Sequence, residues 1–196
     1  DRRHTVGRPL PQTEVKITAV GRAEPVPPGT VGEICTRGYL VMRGYADDPQ
    51  ATMAAIDTKG WLHTGDLGSM DARGYVRVAG RLKEMIIRGG ENIYPREIEA
   101  VLLTHPAVAD AAVVGVADRF WGEVVGAAIR PVPDVAPPSE ADLAEFCRRQ
   151  LAPFKVPARW LLLGSFPLTS TGKVRKDQLS ELLAGSADRP AQPVAQ

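Results

Sequence analysis

Three short segments carry polar residues in patterns that suit chemistry better than packing. The first is Gly60-Trp61-Leu62-His63-Thr64-Gly65-Asp66. A Thr-Gly-Asp turn can aim a carboxylate outward from a tight bend, and a carboxylate that accepts two hydrogen bonds suits a vicinal diol such as a ribose. The same types describe an aspartate bonded to its own backbone, and on residue type alone that reading is favoured. The second segment is Gly80-Arg81-Leu82-Lys83-Glu84, followed by Arg88-Gly89-Gly90-Glu91-Asn92. Paired glycines allow positive φ or a close approach of backbone to a ligand. The Arg81 guanidinium can fork onto ribose or phosphate oxygens. A surface charge cluster beside a hairpin turn fits these residues equally well. The third segment is Pro167-Leu168-Thr169-Ser170-Thr171-Gly172-Lys173-Val174. Gly-Lys after hydroxyl residues suggests phosphate, but this is no P-loop, which needs Gly where Pro167 stands and Ser or Thr where Val174 stands. Lys173 on such a loop either presents an ammonium to an anion or is simply solvated.

The remaining reactive types offer less. His4, His63 and His105 show no ligand spacing, so no metal site is expected. No Ser-His-Asp arrangement can be argued. Trp61, Trp121 and Trp160 are expected to be packing residues.

These segments need elements to hold them. The first third is broken by Gly and Pro into short β-type runs. Val15 to Val20 alternates apolar and polar residues, and Val31 to Arg37 reads as a second strand. A short helix is expected near Gln50 to Ile56. Tyr75 to Ala79 is a strand entered through an Asp71-Ala72-Arg73-Gly74 turn. After Gly80-Arg81 the pattern changes. Met85 to Arg88 is a short strand, and Pro95 opens a helix where a missing N–H costs nothing. Ala109 to Val116 and Glu123 to Ile129 read as buried strands, and Pro131 to Pro138 as a linker. Ser139 with Asp142 marks a helix start, with Leu143, Phe146, Cys147 and Leu151 on its apolar face. Trp160 to Leu163 is a last strand, and Leu179, Leu182 and Leu183 mark a final helix.

The fold class is therefore α+β: a small β-rich subdomain over 1–80, then a small α+β domain over 81–184 whose short sheet is flanked by helices. Residues 185–196 are expected to be a disordered tail. Of 196 residues, 44% are hydrophobic and 24% charged, as in an ordinary soluble globular chain. Lys plus Arg number 24 against 23 Asp plus Glu, and this net charge of +1 gives no reason to expect nucleic acid or an anionic membrane as partner. No apolar run approaches the about 18 residues of a membrane helix. Cys35 and Cys147 cannot build a disulfide framework, and free thiols suit a cytoplasmic setting. Asp1-Arg2-Arg3-His4 is no signal peptide, and without an initial Met the chain reads as trimmed or as a piece of something longer.

Order and spacing add what single segments lack. GWLHTGDLG, then GYVRVAGRLKEMIIRGGENIYPREIE, then PLTSTGKVRK resembles the C-terminal part of the adenylate-forming superfamily, and within it the acyl-CoA synthetases, or fatty-acid–CoA ligases. The likeness runs from Val6-Gly7-Arg8-Pro9 to about Leu183. It includes Gly29-Thr30-Val31-Gly32-Glu33-Ile34 and Met42-Arg43-Gly44-Tyr45.

The resemblance implies roles. Asp66 would hold the ribose hydroxyls of ATP and then of an acyl-adenylate, and Arg81 the same ribose or a phosphate. Lys83 would be the hinge, within 81–84, about which 81–184 turns as a mobile lid. Lys173 would be the catalytic lysine, bridging substrate carboxylate and α-phosphate. Arg88, Gly89, Gly90 and Glu91 would line a CoA pantetheine tunnel, with Gly122 and Glu123 nearby. The substrates would be a carboxylic acid, a fatty acid in the first instance, with ATP and CoA. The ligand of Mg²⁺, the phosphate loop and the acyl pocket would belong to a large N-terminal domain, of which 1–80 is only the closing subdomain. The isolated chain is expected to be inactive. Lys rather than Asp at position 83 fits CoA ligases better than peptide-synthetase adenylation domains. The alternatives are a ligase that loads a carrier protein and a stand-alone, non-catalytic module built from the lid.

Overall fold

The computed structural model describes residues 4–185. They form two compact units divided between Lys83 and Glu84.

The first unit is an antiparallel sheet of four strands in chain order: β1 (Thr13–Thr18), β2 (Gly32–Gly38), β3 (Leu62–Met70) and β4 (Val76–Arg81). A short helix, α1 (Pro49–Ala55), lies between β2 and β3. Asp48 caps it by accepting from the Ala51 N–H at 2.8 Å, and Pro49 takes a first-turn position where no N–H is needed. Aspartates also shape the turns. Asp57 Oδ1 accepts from the Lys59 and Trp61 N–H groups, and Asp71 Oδ1 from those of Arg73 and Tyr75. The Tyr75 N–H is the main reason the Asp71 carboxyl titrates below its ordinary range. Gly74, at φ +83°, completes that turn. Ile17, Cys35, Leu67 and Val76 are buried in this unit, with Thr18 and Glu33 buried among them.

Two expectations need correction here. The first strand is Thr13–Thr18 and ends before Val20, because the chain turns at Gly21 with φ +71°. Thr64-Gly65-Asp66 is not a turn between elements but the middle of β3. Its glycine takes φ +69° inside a strand paired on both sides, and that makes a bulge.

The second unit is built on a long central strand. β5 (Ile86–Arg88) and β6 (Glu91–Ile93) form a hairpin, followed by α2 (Pro95–Leu102). Then come β7 (Val108–Asp118), β8 (Gly122–Pro131), α3 (Glu140–Arg148), β9 (Arg159–Leu162) and α4 (Lys176–Gly185). β8 pairs antiparallel with β7, parallel with β9, and with β5 through Arg88 and Gly122. Alternation along β7 and β8 fills both faces. Ala111, Val113, Val125, Ala127 and Ile129 pack with Ile98 and Leu102 of α2 and Leu143 and Cys147 of α3. Ala112, Val114, Val116, Val124 and Ala128 pack with Leu179 and Leu183 of α4. A sheet covered on both sides explains why these strands read as unbroken apolar runs.

Ser139 caps α3 as expected, its Oγ accepting from the Asp142 N–H at 3.1 Å. The strand β6 was not foreseen, and of the three tryptophans only Trp160 is buried. Trp121 is half exposed, and Trp61 lies beneath the cations of Lys16 and Arg37. Gly185 ends α4, so the first residue of the tail expected over 185–196 belongs to the helix, and the rest of that tail lies outside the described residues. No helix among the described residues is long and apolar enough to cross a membrane.

Candidate functional site

In the first unit the bulge and the strand beside it create a polar groove. β2 and β3 pair Cys35 with His63 and Glu33 with Leu67, so Thr64, Gly65 and Asp66 all lie opposite Ile34. On the other side Asp66 pairs with Arg81, and Leu67 with Gly80. Leu67 is fully buried, so alternation sends Asp66 to the other face. There its Oδ1 meets Arg81 Nε at 3.3 Å, with both side chains about half exposed. Thr64, Gly65, Asp66, Arg81, Leu82 and Lys83 line one shallow, open groove. A carboxylate and a guanidinium side by side offer acceptors and donors to a hydroxylated, phosphorylated ligand. Lys83 is exposed in a short 3₁₀ turn, Leu82–Glu84.

Sequence reasoning missed what lies beneath the groove. Glu33, only 6% exposed, reaches across to β3. Its Oε2 lies 2.8 Å from His63 Nδ1, and its Oε1 accepts from the Gly65 N–H at 3.2 Å. Cys35 Sγ stands 3.6 Å from the same His63 nitrogen, and burial pushes its thiol pKa up. Thirty residues separate Glu33 from His63, and no local pattern connects them. Among the described residues these three are the one group with metal-type ligand atoms in common reach.

In the second unit, Arg88, Gly89, Gly90 and Glu91 form a tight hairpin between β5 and β6. Gly89 at φ +58° and Gly90 at φ +88° supply the two positive values that a type I′ turn needs. A Cβ on Gly89 would sit 2.8 Å from the Trp121 ring, whereas one on Gly90 would meet nothing within 4 Å. Arg88 lies over the Trp121 ring at 4.5 Å. Asp118 holds that loop by accepting from the Trp121 and Phe120 N–H groups, which lowers its carboxyl pKa. Glu123 Oε2 accepts from the Ile87 N–H at 2.7 Å, so Gly122 and Glu123 do adjoin the hairpin.

Lys173 lies on a separate hairpin loop. The Thr169 N–H donates to the Lys173 carbonyl at 2.7 Å, and the Lys173 N–H donates to Thr169 Oγ1 at 3.1 Å. Gly172 takes φ +79° at the turn. The Lys173 side chain is exposed and has no hydrogen-bond or ion-pair partner among the described residues. Three residues on, Lys176 Nζ lies 2.9 Å from both Glu84 Oε2 and Glu99 Oε1. The structure thus brings Asp66, Arg81 and Lys83 to one groove, and Arg88 to Glu91 to Gly122 and Glu123. No hydrogen bond or ion pair among the described residues joins Lys173 to the Gly89–Gly90 hairpin.

Known proteins are similar to this chain in sequence and fold. Residues 1–46 match the family model described as AMP-binding enzyme, and residues 97–173 match AMP-binding enzyme C-terminal domain. YngI of Bacillus subtilis (strain 168), named as an acyl-CoA synthetase, is 50% identical over 90% of this chain and 32% of its own length. The mitochondrial medium-chain acyl-CoA ligase ACSF2 of Rattus norvegicus is 42% identical over 90% of this chain and 29% of its own. The structure of o-succinylbenzoate CoA synthetase (MenE) from Bacillus subtilis with the acyl-adenylate OSB-AMP superposes with a TM-score of 0.82 at 40% identity, covering 90% of this chain and 35% of that one. This chain spans about a third of the length of the curated relatives it matches. With two matching family models, relatives named acyl-CoA synthetase or ligase along most of its length, and the fold of their solved structures, the chain belongs to the adenylate-forming AMP-binding enzymes and carries their C-terminal domain.

Proposed function

We propose that this chain is the C-terminal part of an ATP-dependent acyl-CoA synthetase that converts a carboxylic acid, in the first instance a fatty acid, to its CoA thioester. The observation that carries this reading is the groove in which Asp66 and Arg81 face each other across β3 and β4. Asp66 accepts hydrogen bonds from the two ribose hydroxyls, and Arg81 donates to the ribose or a phosphate. In the first half-reaction the carboxylate oxygen attacks the α-phosphorus of ATP. The bond to the bridging oxygen breaks, and pyrophosphate leaves with the electron pair. Two anions approach in that step, so an ammonium between them stabilises the transition state. Lys173 suits this role: its side chain is exposed on a loop and makes no hydrogen bond or ion pair with a described residue. In the second half-reaction the CoA sulfur, having lost its proton, attacks the acyl carbon and AMP leaves.

The Gly89–Gly90 hairpin, with Arg88 and Glu91, lines the path of the pantetheine arm. Gly90 leaves open space where a side chain would project. Residues 84–185 act as a lid that turns about Lys83 and presents first Lys173 and then the hairpin to the reacting carbon. The rest of the site, with the ligand of Mg²⁺, belongs to a larger N-terminal domain. Glu33, Cys35 and His63 do not suit that ion, which takes oxygen ligands, so no residue here is assigned to it. Free Cys35 and Cys147 thiols are in keeping with a reducing cytoplasm.

In the full-length enzyme, Lys173→Ala should slow pyrophosphate exchange by about a hundredfold or more. Thioester formation from supplied acyl-adenylate should stay within a few-fold of wild type. Equal loss in both half-reactions removes the role given to Lys173. Robust pyrophosphate release by these 196 residues alone would contradict the reading of the chain as a dependent part.

A further inference from the structure

Against β2, β3 departs from regular pairing at one place, and one buried side chain answers for it. With Thr64, Gly65 and Asp66 opposite the single Ile34, the ladder cannot satisfy every backbone group there. Glu33 is among the few buried polar side chains, and its two oxygens have separate duties. Oε1 takes the Gly65 N–H at 3.2 Å, while Oε2 takes the His63 imidazole at 2.8 Å. With Glu33 as a carboxylate, which only accepts, the His63 Nδ1–H is the donor of this bond. Thr64 closes the other side: its Oγ1 donates to the Ile34 carbonyl at 2.7 Å and accepts from the Asp66 N–H at 3.1 Å. The residues on either side of Gly65 are thereby fixed, and Asp66 is next in line.

We infer that the buried Glu33–His63 pair is a positioning device: it clamps the β3 bulge so that the Asp66 carboxylate meets both hydroxyls of the ribose. Bulges re-aim side chains, and an aspartate that must grip two adjacent hydroxyls tolerates little misplacement. Without the clamp the Gly65 N–H loses its acceptor, and Gly65, free to leave φ +69°, no longer dictates where Asp66 points. Glu33 and His63 touch no substrate; they act through Asp66. The inference rests on the reading of Asp66 as the ribose ligand.

The test is the preference of the full-length enzyme for ATP over 2′,3′-dideoxy-ATP, measured as the ratio of kcat/KM values in pyrophosphate exchange. Asp66→Ala should lower that ratio by about tenfold or more. Glu33→Ala should lower it comparably, and Asp66→Ala with Glu33→Ala together should lower it no further. A residue that only stabilised the fold would slow both nucleotides alike and leave the ratio unchanged. An unchanged ratio in Glu33→Ala beside a collapsed ratio in Asp66→Ala overturns the positioning role and leaves the ribose reading standing. An unchanged ratio in Asp66→Ala overturns the ribose reading and the device with it. Glu33→Met keeps the length and bulk of the side chain without its acceptors, so it decides the matter if Glu33→Ala does not fold.

Discussion

The two units hold their working residues by different means. The second buries an apolar layer on each face of its sheet, against α2 and α3 on one side and α4 on the other. Among its described residues the first buries only Ile17, Cys35, Leu67 and Val76 as apolar members and leans on polar side chains: the turn aspartates Asp57 and Asp71, the cap Asp48 and the buried Glu33. Packing is non-directional and gives rigidity to a whole body. Hydrogen bonds are directional and fix single positions. Under the proposed function, a lid that moves as a piece would be served by the former, and a groove that aims one carboxylate by the latter.

The largest expected effect tests the packed unit. Leu179→Ala should cost about 2–5 kcal/mol, since this side chain is fully buried where α4 packs on the sheet. Hydrogen exchange should rise in β7, β8 and α4 and stay unchanged in β1 to β4; an equal rise in both units would end the contrast. Gly126→Val comes next. A Cβ at Gly126 would lie 2.7 Å from Val116 Cγ2 and 3.0 Å from Leu183 Cδ1, so overpacking should cost about 1–3 kcal/mol in thermal unfolding.

Acid sharpens the other half of the comparison. The Asp57 and Asp71 carboxyls are held below their ordinary range, chiefly by the Trp61 and Tyr75 N–H groups. A depressed folded pKa means the stabilisation is present above the unfolded value, about 3.9, and is lost as pH falls through the folded one. Amide shifts of Lys59, Trp61, Arg73 and Tyr75 should therefore titrate below about pH 4, while those in the middle of β7 and β8 stay put. The smallest effect is a near-absence. Burial raises the Cys147 thiol pKa to about 11, so at pH 8 about one molecule in a thousand is thiolate. Alkylation of native protein at pH 8 should leave Cys147 unmodified, and denaturation should release it.

Legibility in the sequence followed the same division. The apolar runs from Ala109 and Glu123, the helix start at Pro95 and the cap at Ser139 are local patterns, and the structure has each of them. The α+β class follows from these. β3 escaped notice because Thr64-Gly65-Asp66 has the composition of a turn, and only pairing on both sides makes it a strand. β6 escaped because three residues after a glycine pair carry no period. At the groove, Asp66 and Arg81 were individually suspect as polar residues beside glycines, but their pairing across two strands belongs to register. Glu33 was invisible for a stronger reason: its partners lie in another strand, and a lone Glu in a β run reads as solvent-facing.

One ammonium sets how the far end of the second unit follows its near end. Lys176 bridges Glu84, the residue at which that unit begins, and Glu99 on α2, whose Oε1 also accepts from the Val113 N–H. Positions 84 and 176 are 92 apart along the chain, yet this brace ties the first residue of the unit to its last helix and to α2. A turn of the unit at residue 84, as proposed above, would carry α4 and α2 along through this one ammonium.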